Sequence, residues 1–119
     1  MTPADRAFSV EDHFEGKAPS VRATYDQLLR TLKRFGPIVE EAKKTSIHLV
    51  HATALAGVAT RKEWLVLTIK SDRRLASSRV HKTEQTSARR FHHEIKLTSP
   101  ADVDDELTGW LESAYVLTA

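Results

Sequence analysis

The stretch RRFHHEIK, residues 89–96, sets two arginines, two histidines, a glutamate and a lysine around only two apolar residues. Three chemistries use such side chains. Neutral imidazoles bind metal ions, guanidinium and ammonium groups bind phosphate and carboxylate, and a Glu-x-Lys pair on one strand face serves metal-dependent nucleases. In those enzymes Glu holds the divalent cation and Lys helps position the attacking water. Read as a strand, the stretch sends Phe91, His93 and Ile95, with Leu97 beyond, to one face and His92, Glu94 and Lys96 to the other. The adjacent histidines therefore cannot chelate one ion, and His93 falls among core positions. His48 and His51, three apart on a second strand, also point oppositely, and His13 and His81 have no partner that spacing supplies. Glu94 and Lys96 do share a face, but a nuclease needs a further carboxylate, for which Asp72 is the nearest upstream candidate and which no spacing places beside Glu94. A solvated alternation on a sheet face accounts for the stretch without a metal, so no catalytic residue, metal ligand or cofactor is assigned.

Two helices must flank such a strand. Val21, Tyr25, Leu28, Leu29, Leu32 and Phe35 recur at helical spacing and predict a helix over about 19–35, stopped by Gly36-Pro37. A second helix is expected to begin with Ser99 as N-cap, Pro100 at its first position and acids at 102, 104, 105 and 106. Its apolar stripe would be Val103, Leu107, Trp110, Leu111 and Ala114. Between them KTSIHLVH (44–51), TALAGVAT (53–60), EWLVLTIK (63–70) and RFHHEIKL (90–97) read as strands, with RVHKTE (79–84) as a further edge strand. The expectation is an α+β domain: an N-terminal helix, an antiparallel sheet of four or five strands and a C-terminal helix, both helices on one sheet face. Residues 1–13 read as an N-terminal arm and 14–119 as the single domain. The four glycines are isolated, which excludes a phosphate-cradling loop, and Gly57 reads as a strand kink or close-packing point. No serine stands in a nucleophile-elbow context.

The 119 residues contain no cysteine, which removes disulfides, thiolate zinc sites and thiol nucleophiles and sets a reducing, cytoplasmic compartment as the expectation. No apolar run approaches the ~20 residues of a membrane span, and the start of the chain lacks the pattern of a signal peptide. A net charge of +2 conceals an asymmetry: residues 61–96 hold ten Lys and Arg against four acids, whereas residues 97–119 hold five acids and no Lys or Arg. A basic middle points to an anionic partner; the plainer reading is a solvated face partly offset by the acidic end.

The blocks HFEGKAPSVRATYDQLLRTLKRFGP, EEAKKTSIHLV, AGVATRKEWLVLTIK and RRFHHEIKLTSPADVDDELTGWLESAY resemble the bacterial domain of unknown function 5655 family over about residues 14–115. That resemblance implies a small α+β domain, found alone or joined to larger proteins, some with nuclease-like modules, and brings no reaction or cofactor. It draws attention to Lys17, Lys43, Lys44, Arg61 and Lys62, which fall at the ends of expected elements, where a rim of cations can hold phosphate or carboxylate. Strand ends also carry Lys and Arg simply to discourage edge pairing. With Arg73, Arg74, Arg89 and Arg90 of the basic segment, these are the candidate binding residues. The functional expectation is a non-enzymatic binding or accessory domain for an anionic partner, nucleic acid first, with no membrane partner. The alternatives are a divalent-metal phosphodiesterase using Glu94 and Lys96, and a protein-interaction or dimerising domain using the sheet face near Trp64 and Val66.

Overall fold

A computed structural model describes residues 8–118. Of the arm expected over 1–13, residues 1–7 lie outside the described residues, and the remainder is packed onto the domain. Ser9 N donates to Asp12 Oδ2 and Asp12 N to Ser9 Oγ, both at 3.1 Å, a reciprocal pair that starts a 3-10 turn over Glu11–Phe14. Val10 and Phe14 rest against the core. The Arg22 guanidinium lies 4.9 Å from the Phe14 ring centroid, and Phe14 packs on Tyr25 at 5.1 Å.

Helix α1 spans Pro19–Lys33 and buries Val21, Tyr25, Leu28 and Leu32, as the spacing predicts. It ends before Phe35, which is only partly buried. Thr24 and Thr31 complete its buried face, because each hydroxyl donates to the carbonyl four residues back, Ser20 at 2.7 Å and Gln27 at 2.9 Å, and so carries no unsatisfied polar atom inward. Gly36 turns the chain at φ +151, and a Cβ there would collide with the Tyr115 hydroxyl, so both backbone and packing require glycine.

Six strands follow, one more than the upper expectation: β1 (Val39–Ala42), β2 (Ile47–Val50), β3 (Ala54–Thr60), β4 (Leu65–Ser71), β5 (Val80–Ser87) and β6 (Arg90–Leu97). Their order is β1-β2-β3-β4-β6-β5, every neighbouring pair antiparallel. The strand missed from sequence is β1, whose VEEA carries two glutamates and little β propensity; it forms because β2 offers an unpaired edge and the Tyr25 hydroxyl donates to Glu40 Oε1 at 2.6 Å. In β3 the pairs Leu49↔Ala56 and Val50↔Ala54 leave Leu55 as an extra residue, and this bulge turns both Leu55 and Ala56 into the core.

The second helix differs from expectation at its start. Pro100–Asp102 is a separate 3-10 turn, and α2 runs Asp105–Leu117 with Asp104 as N-cap, its carboxylate accepting from Leu107 N at 3.1 Å. The break arises because Asp102 Oδ2 folds back to accept from Thr98 N at 2.7 Å and Ser99 N at 3.3 Å, so two successive caps compete and the second opens the longer helix. Leu107, Leu111, Ala114 and Tyr115 face inward, with Val103 and Trp110 partly buried.

Both helices lie on the sheet face of Ile47, Leu49, Val58, Leu65, Leu67, Ile69, Ile95 and Leu97, all fully buried. The β4–β5 connection, residues 72–79, crosses this same face, because β4 and β5 run parallel with β6 between them. Leu75 packs into the core, and His93 Nε2 donates to the Arg73 carbonyl at 3.1 Å. A carbonyl can only accept, so Nε2 carries the proton and Nδ1 of the neutral ring accepts from the Thr83 hydroxyl at 2.9 Å. His93 is thus a satisfied core histidine that fastens the crossover. Replacing the fully buried Leu28 or Leu107 by Ala should each cost about 2–5 kcal/mol, whereas Arg30→Ala, on the exposed side of α1, should stay within about 0.5 kcal/mol. Denaturant midpoints check this, and wild-type stability in both leucine variants would contradict the helix packing.

Candidate anion-binding surfaces

Sheet topology decides where the cations gather. Ile47 pairs with Val58, Thr60 with Leu65 and Leu65 with Leu97, which puts the turns 43–46 and 61–64 at the same end of the sheet. The chain before α1 is tied to both: Ala18 N donates to the Lys62 carbonyl at 2.7 Å, and His13 Nε2 to the Lys43 carbonyl at 2.8 Å. Lys17, Lys43, Lys44, Arg61 and Lys62 therefore meet at one end, on turns about 10 Å apart. Lys17 and Lys62 flank a depression of about 350 Å³ with Gly16 and Ser20, while Arg61 borders another of about 800 Å³ with Trp64, His81 and Lys96. Lys43 meets Glu41 at 3.6 Å; among the described residues the other four pair with no carboxylate.

Arg73, Arg74, Arg89 and Arg90 sit at the opposite end, where Ser71 pairs with Phe91 and Ser87 with Arg90. The length of β4 separates the two sets by roughly 20 Å. Two of the far arginines are engaged. Arg73 Nε donates to Asp72 Oδ1 at 3.0 Å, a bond that holds the Asp72 carboxyl below its ordinary range, and the Arg74 guanidinium lies 5.1 Å over the Phe91 ring. Arg79 is also occupied: its Nη1 reaches Asp104 at 2.8 Å and Glu106 at 3.2 Å, and Nη2 donates to the Asp102 carbonyl at 2.6 Å. Part of the basic middle thus neutralises the acidic start of α2. Burial of Asp102 opposes its ionisation, but the bonds from Thr98 and Ser99 and the nearby Arg79 outweigh it and hold the carboxyl below its ordinary range.

Among the described residues, the second sheet face carries no helix and no crossover. Glu94 and Lys96 share it, as the pleat predicts, yet they are turned to different neighbours. Glu94 meets His81 Nε2 at 3.4 Å and Lys82 Nζ at 3.9 Å, while Lys96 Nζ lies 4.2 Å over the Trp64 ring. Asp72 follows the end of β4, four residues past Thr68, the partner of Glu94, and so about 13 Å along the sheet. Among the described residues no group of three His, Asp or Glu side chains is placed to hold a metal ion. No helix among them is long and apolar enough to cross a membrane.

Residues 10–118 match the family described as a domain of unknown function (DUF5655). The chain belongs to that family. No curated protein and no solved structure matches it.

What the sequence alone passes over in this DUF5655 domain is the middle of the open face. The outward positions of β3 are Ala54, Gly57 and Ala59, and they floor a groove of about 370 Å³ walled by Ser46 and His48 on one side and Thr68, Lys70 and His92 on the other. Gly57 is not a close-packing point: a Cβ there would meet only His48 Cδ2, at 3.9 Å, and its φ is one that any residue adopts. The signal available in TALAGVAT was a strand with nothing large on its outward side, hidden by the Leu55 bulge that breaks its period.

Burial, then the neighbouring Lys70, lowers the His92 pKa below the ordinary 6.5, with Glu84 opposing. A lowered imidazole pKa means that the unfolded chain takes the proton more readily, so stability rises with pH between the His92 value and 6.5 and is lost as pH falls through that window. NMR titration of DUF5655 should find the His92 midpoint below 6.5, and Lys70→Met should move it upward. A midpoint at or above 6.5 would contradict the geometry.

Proposed function

We propose that this DUF5655 chain is a non-enzymatic binding domain for an anionic partner, with nucleic acid the foremost class. The observation that carries the reading is the distribution of unpaired positive charge. Lys17, Lys44, Arg61 and Lys62 at one end of the sheet, and Lys70 and Lys96 on its open face, meet no carboxylate among the described residues. On the helix side, by contrast, Arg79 is consumed by Asp104 and Glu106. The open face carries Glu41, Glu84 and Glu94, of which Glu41 meets Lys43 and Glu94 already faces His81 and Lys82. Cations spread over a rim and a flat face suit a backbone of repeated phosphates, which they engage as point charges without reading sequence.

Binding to fluorescent duplex DNA followed by anisotropy should be weak, indifferent to sequence and steeply salt-dependent. About four phosphate contacts would give a slope of log K against log salt near −3.6. Changing Lys17, Lys44, Arg61 and Lys62 to Gln should flatten that slope. The same change at Arg73, Arg74, Arg89 and Arg90 should alter it less, since Arg73 is paired with Asp72 and Arg74 covers Phe91. Absence of binding to DNA or RNA at ~100 μM protein in low salt would overturn the reading, because non-specific binders typically reach 10⁻⁴ to 10⁻⁶ M even at physiological salt. A magnesium- or manganese-dependent hydrolysis lost in Glu94→Gln would overturn its non-enzymatic part.

A further inference from the structure

The groove over β3 has a feature that the fold does not require. Central strands favour β-branched and aromatic residues on exposed positions, whereas Ala54, Gly57 and Ala59 leave the middle of this face nearly bare. Glycine within a strand weakens it, and neither backbone strain nor a close neighbour demands glycine at 57. The walls are specific in type. His48 faces Gly57 across β2 and β3, and Thr68 faces it from β4. Lys70 and His92 form the next row on that side. Two imidazole rings, two hydroxyls and an ammonium group that meets no carboxylate among the described residues therefore border one channel.

We propose that this groove receives one single strand of nucleic acid, laid along β3 with separate bases against the imidazoles of His48 and of His92 and a phosphate at Lys70. The proposal deepens the nucleic-acid reading given above and rests on it. Width selects the single strand: from His48 on β2 to His92 on β6 the channel spans three strand spacings, about 14 Å, which suits one strand with its bases turned to the sheet. Charge selects an anion at Lys70, with Glu41 and Glu84 flanking the two imidazoles. Beyond Val66 the face continues to Arg61, Trp64 and Lys96, where the indole beneath the Lys96 ammonium adds a further ring and a further cation along the path. An acidic peptide is disfavoured by backbone geometry. Peptides that add to sheets gain affinity through main-chain hydrogen bonds at an edge, and β3 has both edges occupied by β2 and β4. Bases need no backbone partner, because each presents a π-face whatever its sequence.

Gly57→Val tests this directly, because it fills the floor of the groove at a position where a Cβ meets nothing closer than 3.9 Å. The thermal midpoint should be unchanged or raised, since valine suits a strand better than glycine. In anisotropy titrations with labelled oligonucleotides of about 12 residues, Gly57→Val and His48→Ala should each weaken single-strand binding by about tenfold, the loss of roughly one stacked base. Their duplex affinity and salt slope should stay those of the wild type. The variant with Lys17, Lys44, Arg61 and Lys62 changed to Gln should instead lose affinity for both forms and flatten both slopes. Wild-type single-strand affinity in folded Gly57→Val and His48→Ala would overturn the groove while leaving the cationic end intact as a duplex-binding surface. Equal competition by a polyglutamate peptide would assign the groove to an acidic peptide and overturn it too. A wild-type protein that binds neither form would overturn this inference together with the reading beneath it.

Discussion

The hydrogen bond from His93 Nε2 to the Arg73 carbonyl is the contact on which the layout of this domain turns. Two helices packed side by side cover about 20 Å, and six strands span about 24 Å. The remainder of the apolar face must be covered by something else. The β4–β5 connection does so, bringing Leu75 into the core and Arg74 over Phe91, and the buried imidazole holds it there by its backbone. Thr83 takes the other ring nitrogen, so one side chain links β6, the edge strand β5 and the crossover without leaving a buried polar atom unpaired.

That same crossover explains why the opposite sheet face stays open. Among the described residues, the elements that cover the sheet are on the helix side: α1, α2 and residues 72–79. The edges are protected in a different way. Strand β5 presents mostly exposed polar residues and β1 two glutamates, both of which discourage pairing with another sheet. An antiparallel sheet tolerates one solvated face, and here that face combines cations with a floor of small residues.

Electrostatics separates the surface into used and unused charge. Arg79 spans from the crossover to α2, meeting Asp104 and Glu106 and the Asp102 carbonyl, so the charge asymmetry seen along the chain is partly cancelled in space. Arg73 is matched by its neighbour Asp72. The turn residues Lys17, Lys44, Arg61 and Lys62 are not matched among the described residues, and they come from three separate stretches of chain held together by His13 and Ala18.

The two helices, the strands β2, β4 and β6, and the sides taken by His92, His93, Glu94 and Lys96 were determined by the sequence itself, because each rests on a local period of 3.6 or 2. Membership of the DUF5655 family was legible in the same way, from contiguous blocks of residues. The strand β1 was decided only in three dimensions, since VEEA has no period of its own and pairs because β2 offers an edge. So was the division of Pro100–Asp102 from α2, where Asp102 folds back on Thr98 and Ser99 and Asp104 caps anew. The course of residues 72–79 follows from a hydrogen bond to an imidazole twenty residues away. The gathering of Lys17 with Lys43, Lys44, Arg61 and Lys62, and the groove over Gly57, depend on which turns share an end of the sheet and which strands lie side by side. Those relations are set by strand order, and strand order is a property of the whole packed sheet that no local pattern encodes.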